Sequence, residues 1–341
     1  MKIIKPTVNT LGMIVSTDAV ELYSAWVETT YYTVGTRVTY LTGVYECMVA
    51  SPPLWSSTVT YAKDALVRYG TNIYRSLMAG NLNKIPPNIN WWVLVSTLAD
   101  YTPANYPLLW TKLSSTNKWA MFDGEINSTT KKDFNLTVTF TTGIINSLVI
   151  LNTNATKIKI TIRDGLAGLI VYESQQALDI SVLNWYEYFF NPIDNSKDSV
   201  IFRDILPYAN AHVTLEFTGG AGLYVGEVIF GTLYSLGFTQ QGFKSGILDY
   251  SRKETDAFGN TTFVKRAYSK TIQADVFVEN YQLNQVQRLM YDIRATPTVW
   301  IASDDPYLEE ASVVYGFYKD FSSTIAYPTV TMMSLEVEGL I

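Results

Sequence analysis

Tyr32-Thr33-Val34-Gly35-Thr36-Arg37-Val38-Thr39-Tyr40-Leu41-Thr42-Gly43-Val44-Tyr45 is echoed 29 residues later by Tyr61-Ala62-Lys63-Asp64-Ala65-Leu66-Val67-Arg68-Tyr69-Gly70-Thr71-Asn72-Ile73-Tyr74. Trp26 and Trp55 keep the same offset, as do Val38 and Val67, Tyr40 and Tyr69, Val44 and Ile73, and Tyr45 and Tyr74. Matched apolar and aromatic positions at one fixed offset indicate a duplicated unit. In each copy an alternating run meets a Gly-containing turn and a return run, which predicts a β-hairpin. The first hairpin is Arg37-Val38-Thr39-Tyr40 returning as Val44-Tyr45-Glu46-Cys47-Met48; the second is Leu66-Val67-Arg68-Tyr69 returning as Ile73-Tyr74-Arg75-Ser76-Leu77. A unit of about 30 residues is too small to build a sufficient core alone, so the two are expected to share one or lean on a partner. Pro52-Pro53 precedes Trp55, and Pro86-Pro87 precedes Trp91-Trp92. Each unit is therefore expected to close on a Pro-Pro stretch and a Trp, with Trp55 ending the first and opening the second. This places one module at residues 21–57 and the other at 58–98.

The aromatics carry the chemistry. A pyranose has an apolar C–H face and a polar rim, and Tyr and Trp offer a flat apolar surface with a polar handle. The candidate sugar-binding residues are Trp26, Tyr32, Tyr40, Tyr45, Trp55, Tyr61, Tyr69, Tyr74, Trp91 and Trp92. The competing role for each is the core of a very small domain. The Trp residues near the unit edges are the better ligand candidates, and the Tyr and Val positions the better core candidates.

The run from Tyr32 to Tyr40 resembles the small chitin-binding modules appended to bacterial chitinases: a Trp, then Tyr-x-x-Gly-x-x-Val-x-Tyr-x-Gly-x-x-Tyr, then a Pro and a closing Trp. Gly43 comes one position later than in that outline. Asp64 stands in the second unit where Gly35 stands in the first, and the closing Trp is displaced. The resemblance implies carbohydrate binding.

The rest of the chain reads as β with one helix. Residues 1–20 form an N-terminal arm, interrupted by Pro6 and Gly12, that is either a first strand or a contact on a neighbouring subunit. Residues 99–106 look like a linker with turn formers. Residues 107–235 are expected to be a β-sandwich, because Phe134–Phe140, Thr156–Ile162 and His212–Phe217 alternate apolar and polar residues and Ser147–Leu151 is a continuous apolar run. Asn117-Lys118-Trp119-Ala120-Met121-Phe122-Asp123-Gly124 resembles the early motif of galactose-binding-like jelly rolls, which implies a loop aspartate that helps bind calcium. Asp194, Asn195 and Asp198 form a polar loop, better read as a turn than as a cation site.

Residues 236–341 change character. Leu283, Val286, Leu289, Met290 and Ile293 lie on one face of a 3.6-residue period, which predicts a helix capped by Asn280 and stopped by Pro297. Strands are expected at 263–266, 271–278, 298–301, 313–318 and 329–338. This strand–helix–strand–strand order resembles the split-barrel domains of siphophage distal-tail and related minor tail proteins, in which barrels assemble into a ring. The expected fold is thus mainly β and multidomain, with two hairpin modules, a sandwich and a C-terminal α+β split-barrel-like domain.

Composition narrows the function. The 341 residues exceed one compact domain, and 48% hydrophobic content supplies real cores. The net charge of −6 argues against a nucleic-acid face. Cys47 is the only cysteine, so no intrachain disulfide and no cysteine metal cluster is expected. No apolar run is long enough to span a membrane and no signal-peptide pattern opens the chain. His212 is the single histidine, without a Gly-x-Ser-x-Gly elbow; phosphate-loop and dinucleotide fingerprints are absent too. Asp304-Asp305 and Glu309-Glu310 are carboxylate pairs only in sequence, in a polar segment read as a solvated loop.

No enzyme, cofactor or metal is therefore expected. The resemblances imply a phage tail-tip or baseplate protein in the virion, assembled in the host cytoplasm. Its expected partners are other tail or baseplate proteins, further copies of itself as a trimer or hexamer, and host cell-surface polysaccharide. The alternatives are a purely structural adaptor and a glycan-degrading enzyme with appended binding modules.

Overall fold

The computed structural model describes every residue except 179–184, 191–196, 256–257, 306–307, 326 and 341, and all side chains of the described residues but those of Glu187 and Tyr188. The fold is mainly β and multidomain. It divides into two compact units, Val20–Trp119, and Met1–Ala19 with Ala120–Ile341.

Among its described residues the larger unit contains two large sheets, whose strands largely follow the alternation in the sequence, and a separate hairpin of Arg252–Thr255 with Thr261–Val264. A five-stranded antiparallel sheet runs in the order Ile170–Ala177, Lys157–Asp164, Ala211–Thr218, Asn135–Thr141, Ile14–Thr17. Leu136, Val138 and Phe140, Ile158, Ile160 and Ile162, and Val213, Leu215 and Phe217 all point inward and are buried. Phe140 meets Phe230 of the second sheet at 5.3 Å between centroids, which marks the sandwich core. His212 takes an ordinary place in this sheet, opposite Thr141, with its Nδ1 3.0 Å from the carbonyl oxygen of Asn210.

The second sheet has eleven strands and crosses the boundary expected at residue 235. Tyr224–Ser235 pairs with the sandwich strand Ser147–Thr153 on one side and with Lys2–Pro6 on the other. Lys2–Pro6 then pairs with Thr298–Ile301, and the sheet continues through Val313–Thr324, Val330–Gly339 and Tyr268–Glu279. The first segment of the N-terminal arm, Lys2–Pro6, is thus an internal strand that joins the two regions, and its second, Ile14–Thr17, is an edge of the five-stranded sheet. Ile3 and Ile4 are both fully buried, Ile3 in the core with Trp300 and Met290 and Ile4 in the core with Val149 and Tyr315. A strand covered on both faces needs adjacent apolar residues, which is why Ile3-Ile4 shows no alternation.

The predicted helix is Leu283–Asp292, and Val286 and Met290 are buried against Ile272, Val276, Leu335 and Val337. Asn280 does not cap it. The cap position is Gln282, without a side-chain cap bond, while Asn280 donates to the Pro328 carbonyl and accepts from the Thr331 hydroxyl. The helix also ends before Pro297, where Ala295 takes a left-handed backbone with φ of 55°.

Candidate functional site

The aromatic repeat lies in the smaller unit as two three-stranded antiparallel sheets, and one module is inserted in the other. The second module is Leu66–Tyr69, Asn72–Ser76 and Trp92–Thr97. The first takes its hairpin from Arg37–Tyr40 and Gly43–Cys47, but its third strand is Trp110–Ser115, after the whole second module. Trp55 therefore opens the second module and does not close the first. Trp110, which sequence reasoning placed in the sandwich, is the true counterpart of Trp92: Trp110 stands opposite Cys47, and Trp92 opposite Ser76. The expected boundary at residue 107 thus separates this strand from its own module. The signal was present in Leu109-Trp110-Thr111-Lys112-Leu113-Ser114-Ser115 against Trp91-Trp92-Val93-Leu94-Val95-Ser96-Thr97, but at an offset of 18, not 29.

The two modules repeat atom by atom. Trp26 N–H donates to the Thr39 carbonyl and Trp55 N–H to the Arg68 carbonyl, both at 2.8 Å. Tyr32 Oη accepts from Val27 N–H at 2.7 Å, and Tyr61 Oη from Ser56 N–H at 2.6 Å. Gly35 and Asp64 both adopt a left-handed backbone, with φ of 82° and 66°. Asp64 is the kind of residue that tolerates this conformation without being glycine. Cys47 Sγ donates to the Val49 carbonyl at 3.1 Å, and Ser76 Oγ to the Met78 carbonyl at 2.9 Å. Where Gly43 leaves room for the Tyr45 ring, Asn72 instead donates its amide to Tyr74 Oη at 3.2 Å.

This geometry sorts the ten candidate aromatics. Tyr32, Tyr61, Tyr74 and Trp92 are buried. Tyr32 meets Trp110 edge-on at 5.2 Å and Tyr61 meets Trp92 edge-on at 5.4 Å, so this pair is the core of each module. A second pair lies further out. Trp26 meets Tyr40 at 5.4 Å and Trp55 meets Tyr69 at 5.8 Å, again edge-on; Tyr69 is exposed and the other three are half-buried. Trp91 is half-buried with the Lys84 ammonium 5.5 Å from its ring centre, and Tyr45 is half-buried beside Gly43. The candidates of matched geometry are therefore Trp26 with Tyr40 and Trp55 with Tyr69. The modules also share a core, since Ile73 of the second packs with Val38, Cys47 and Trp110 of the first.

The other chemistry named from the sequence is dispersed. Asp194 and Asn195 lie outside the described residues, and the Asp198 carbonyl accepts from Thr153 N–H. Asp123 follows the short Ala120–Phe122 turn and accepts from Glu125 N–H at 2.9 Å. Sequence reasoning missed its neighbour Glu227, which is 2% exposed and accepts from Gly124 N–H at 3.0 Å. Burial, and then the charge of Asp123, push the Glu227 carboxyl up to about 9. Among the described residues no group of three His, Cys, Asp or Glu side chains is placed to hold a metal. Asp304 pairs with Lys2 at 2.8 Å and Arg203 at 2.9 Å, with Glu309 3.9 Å from the same arginine. Among the described residues no helix is long and apolar enough to cross a membrane. No protein-family model matches the chain, and no curated protein matches its sequence.

Proposed function

We propose that the Val20–Trp119 unit binds carbohydrate and that the rest of the chain is the structural body that carries it. The observation behind this reading is the outer Trp–Tyr pair, present once in each module at matched geometry. Each module already has a buried Tyr–Trp pair as its core. The outer pair lies beside that core, with Trp26 and Trp55 half-buried against it. Edge-on packing fixes the indole against the tyrosine, so the ring is pre-oriented before a sugar arrives.

The wider setting we propose is a phage tail tip or baseplate. The body would join other tail proteins and further copies of this chain in a ring, and the modules would face host-surface polysaccharide. A shallow stacking site binds weakly, and several copies on one assembly convert weak sites into avidity when geometry lets them engage together. The reading assigns no catalytic step.

The test is retention on cell-wall polysaccharide of the 20–119 fragment, which includes the closing strand, displayed at high copy number. Wild-type fragment should be retained, and Trp26→Ala with Trp55→Ala should abolish retention while leaving the far-UV spectrum intact. Equal retention of the folded double variant would remove the outer pair as the site. The adaptor alternative expects no glycan retention by any form. For the assembly, a ring of three or six copies in solution supports the tail reading, and a stable monomer counts against it.

A further inference from the structure

Arg68 breaks the internal repeat. Its counterpart in the first module is Thr39, yet Arg68 is 3% exposed and its guanidinium is directed toward the first module. Nη1 donates to the Thr30 carbonyl at 3.1 Å, but Nε is buried without an acceptor. Its electrostatic neighbours are the Tyr31 and Tyr32 hydroxyls, and burial pulls its pKa below the usual value. Trp110 breaks the symmetry in the same place. Trp92 Nε1 donates to the Lys84 carbonyl at 2.6 Å, whereas Trp110 Nε1 is buried with no acceptor. Arg68, Trp110, Trp26, Tyr32 and Glu28 all line one cavity of about 20 Å³ between the modules. A cavity needs roughly 10–15 Å³ to admit one water-sized group. A sugar ring does not fit; the cavity is half-open, so only a small polar head can reach in from its mouth while the ring stays outside.

A buried cation without a counter-charge costs several kcal/mol unless something neutralises it. Both unused groups here are N–H donors, one of them charged, which is the donor set for an anion and not for a cation or a neutral donor. The geometry points to a carboxylate site: we propose that this cavity holds one carboxylate between Arg68 Nε–H and Trp110 Nε1–H, borne by an acidic sugar whose ring lies at the half-buried Trp26. This rests on the carbohydrate reading and names its ligand class, a uronic-acid-containing polysaccharide. Glu28 lines the same cavity, is itself exposed, and is not an electrostatic neighbour of Arg68.

The full chain is titrated with sodium acetate at constant ionic strength, and separately with galacturonic acid oligomers and N-acetylglucosamine oligomers, following Tm and calorimetric affinity. Acetate should raise the Tm of wild type and not that of Arg68→Met, which keeps an apolar stem of similar length. The acidic oligomer should bind about tenfold or more tighter than the neutral one, and Arg68→Met should erase that preference. Arg68→Lys, which keeps the charge and loses the Nε–H, should recover part of the acetate effect. Acetate shifting both proteins equally, or neither, would overturn the site. So would a loss of stability in Glu28→Gln without any acetate effect on wild type, because Glu28 would then be the counter-ion. An acetate shift without preference for the acidic oligomer would overturn the acidic sugar as its source. Failure of both oligomers to bind while the Arg68-dependent acetate shift persists would overturn the carbohydrate reading and leave the anion site standing.

Discussion

Single residues show how far an internal repeat constrains chemistry. Cys47 and Ser76 occupy one position in two modules and make the same bond to a carbonyl two residues on. Both are fully buried. Cys47→Ser should therefore change stability by less than about 1 kcal/mol, while Cys47→Val should cost more because it loses the donor. Urea unfolding of the two variants decides this. Gly35→Ala should cost about 1 kcal/mol, since the new Cβ meets nothing within 4 Å and only the left-handed backbone penalises it. Glu227 gives a pH prediction. Its folded carboxyl titrates at about 9, above an unfolded value of 4.5, so the folded state holds a proton that the unfolded state has lost between those values. Its contribution to stability is complete below the unfolded value and is lost as pH rises toward 9. The difference in Tm between Glu227→Gln and wild type should accordingly grow in favour of the variant from pH 5 to pH 9. A constant difference across that range would place Glu227 in an ordinary environment.

At the scale of elements, the closing strands carry the prediction. A fragment of residues 20–98 contains the whole second module but lacks Trp110–Ser115, the third strand of the first. It should show one disordered hairpin by amide exchange, with protection confined to residues 54–97, whereas 20–119 should be protected in both modules. Trp110→Ala should cost on the order of 3–5 kcal/mol, because it removes the ring that Tyr32 packs against. Trp26→Ala should cost less, since Trp26 is only half-buried. The hairpins themselves were legible from the sequence, because strand, turn and strand follow one another within Arg37–Cys47 and within Leu66–Ser76. The nesting was not, because a search at one offset finds the 29-residue repeat and passes over the 18-residue one.

For the whole molecule, Lys2–Pro6 is the element of greatest reach. It pairs on both sides with strands more than 200 positions away, Tyr224–Ser235 and Thr298–Ile301. Ile4→Ala should destabilise the larger unit by about 2–4 kcal/mol, read by denaturant unfolding. Removing residues 1–6 should do more than that. It would uncover the facing edges of Tyr224–Ser235 and Thr298–Ile301, and aggregation measured by light scattering should follow. No such outcome is expected from changes in the first residues if they were a free arm.

The amino-acid sequence by itself determined the strands that alternate regularly, the amphipathic helix, the duplicated hairpin and the aromatic residue types, because these rest on local periodicity and turn chemistry. Only the tertiary structure decided that one module sits inside the other, that the first six residues join two regions into one sheet, and which aromatics are core. It also brought Arg68, Trp110 and Trp26 around one cavity, although they are spread over 85 positions of the chain. Strand pairing, burial and unpaired donors arise from partners distant in sequence, and no local pattern encodes a partner that has yet to be brought near.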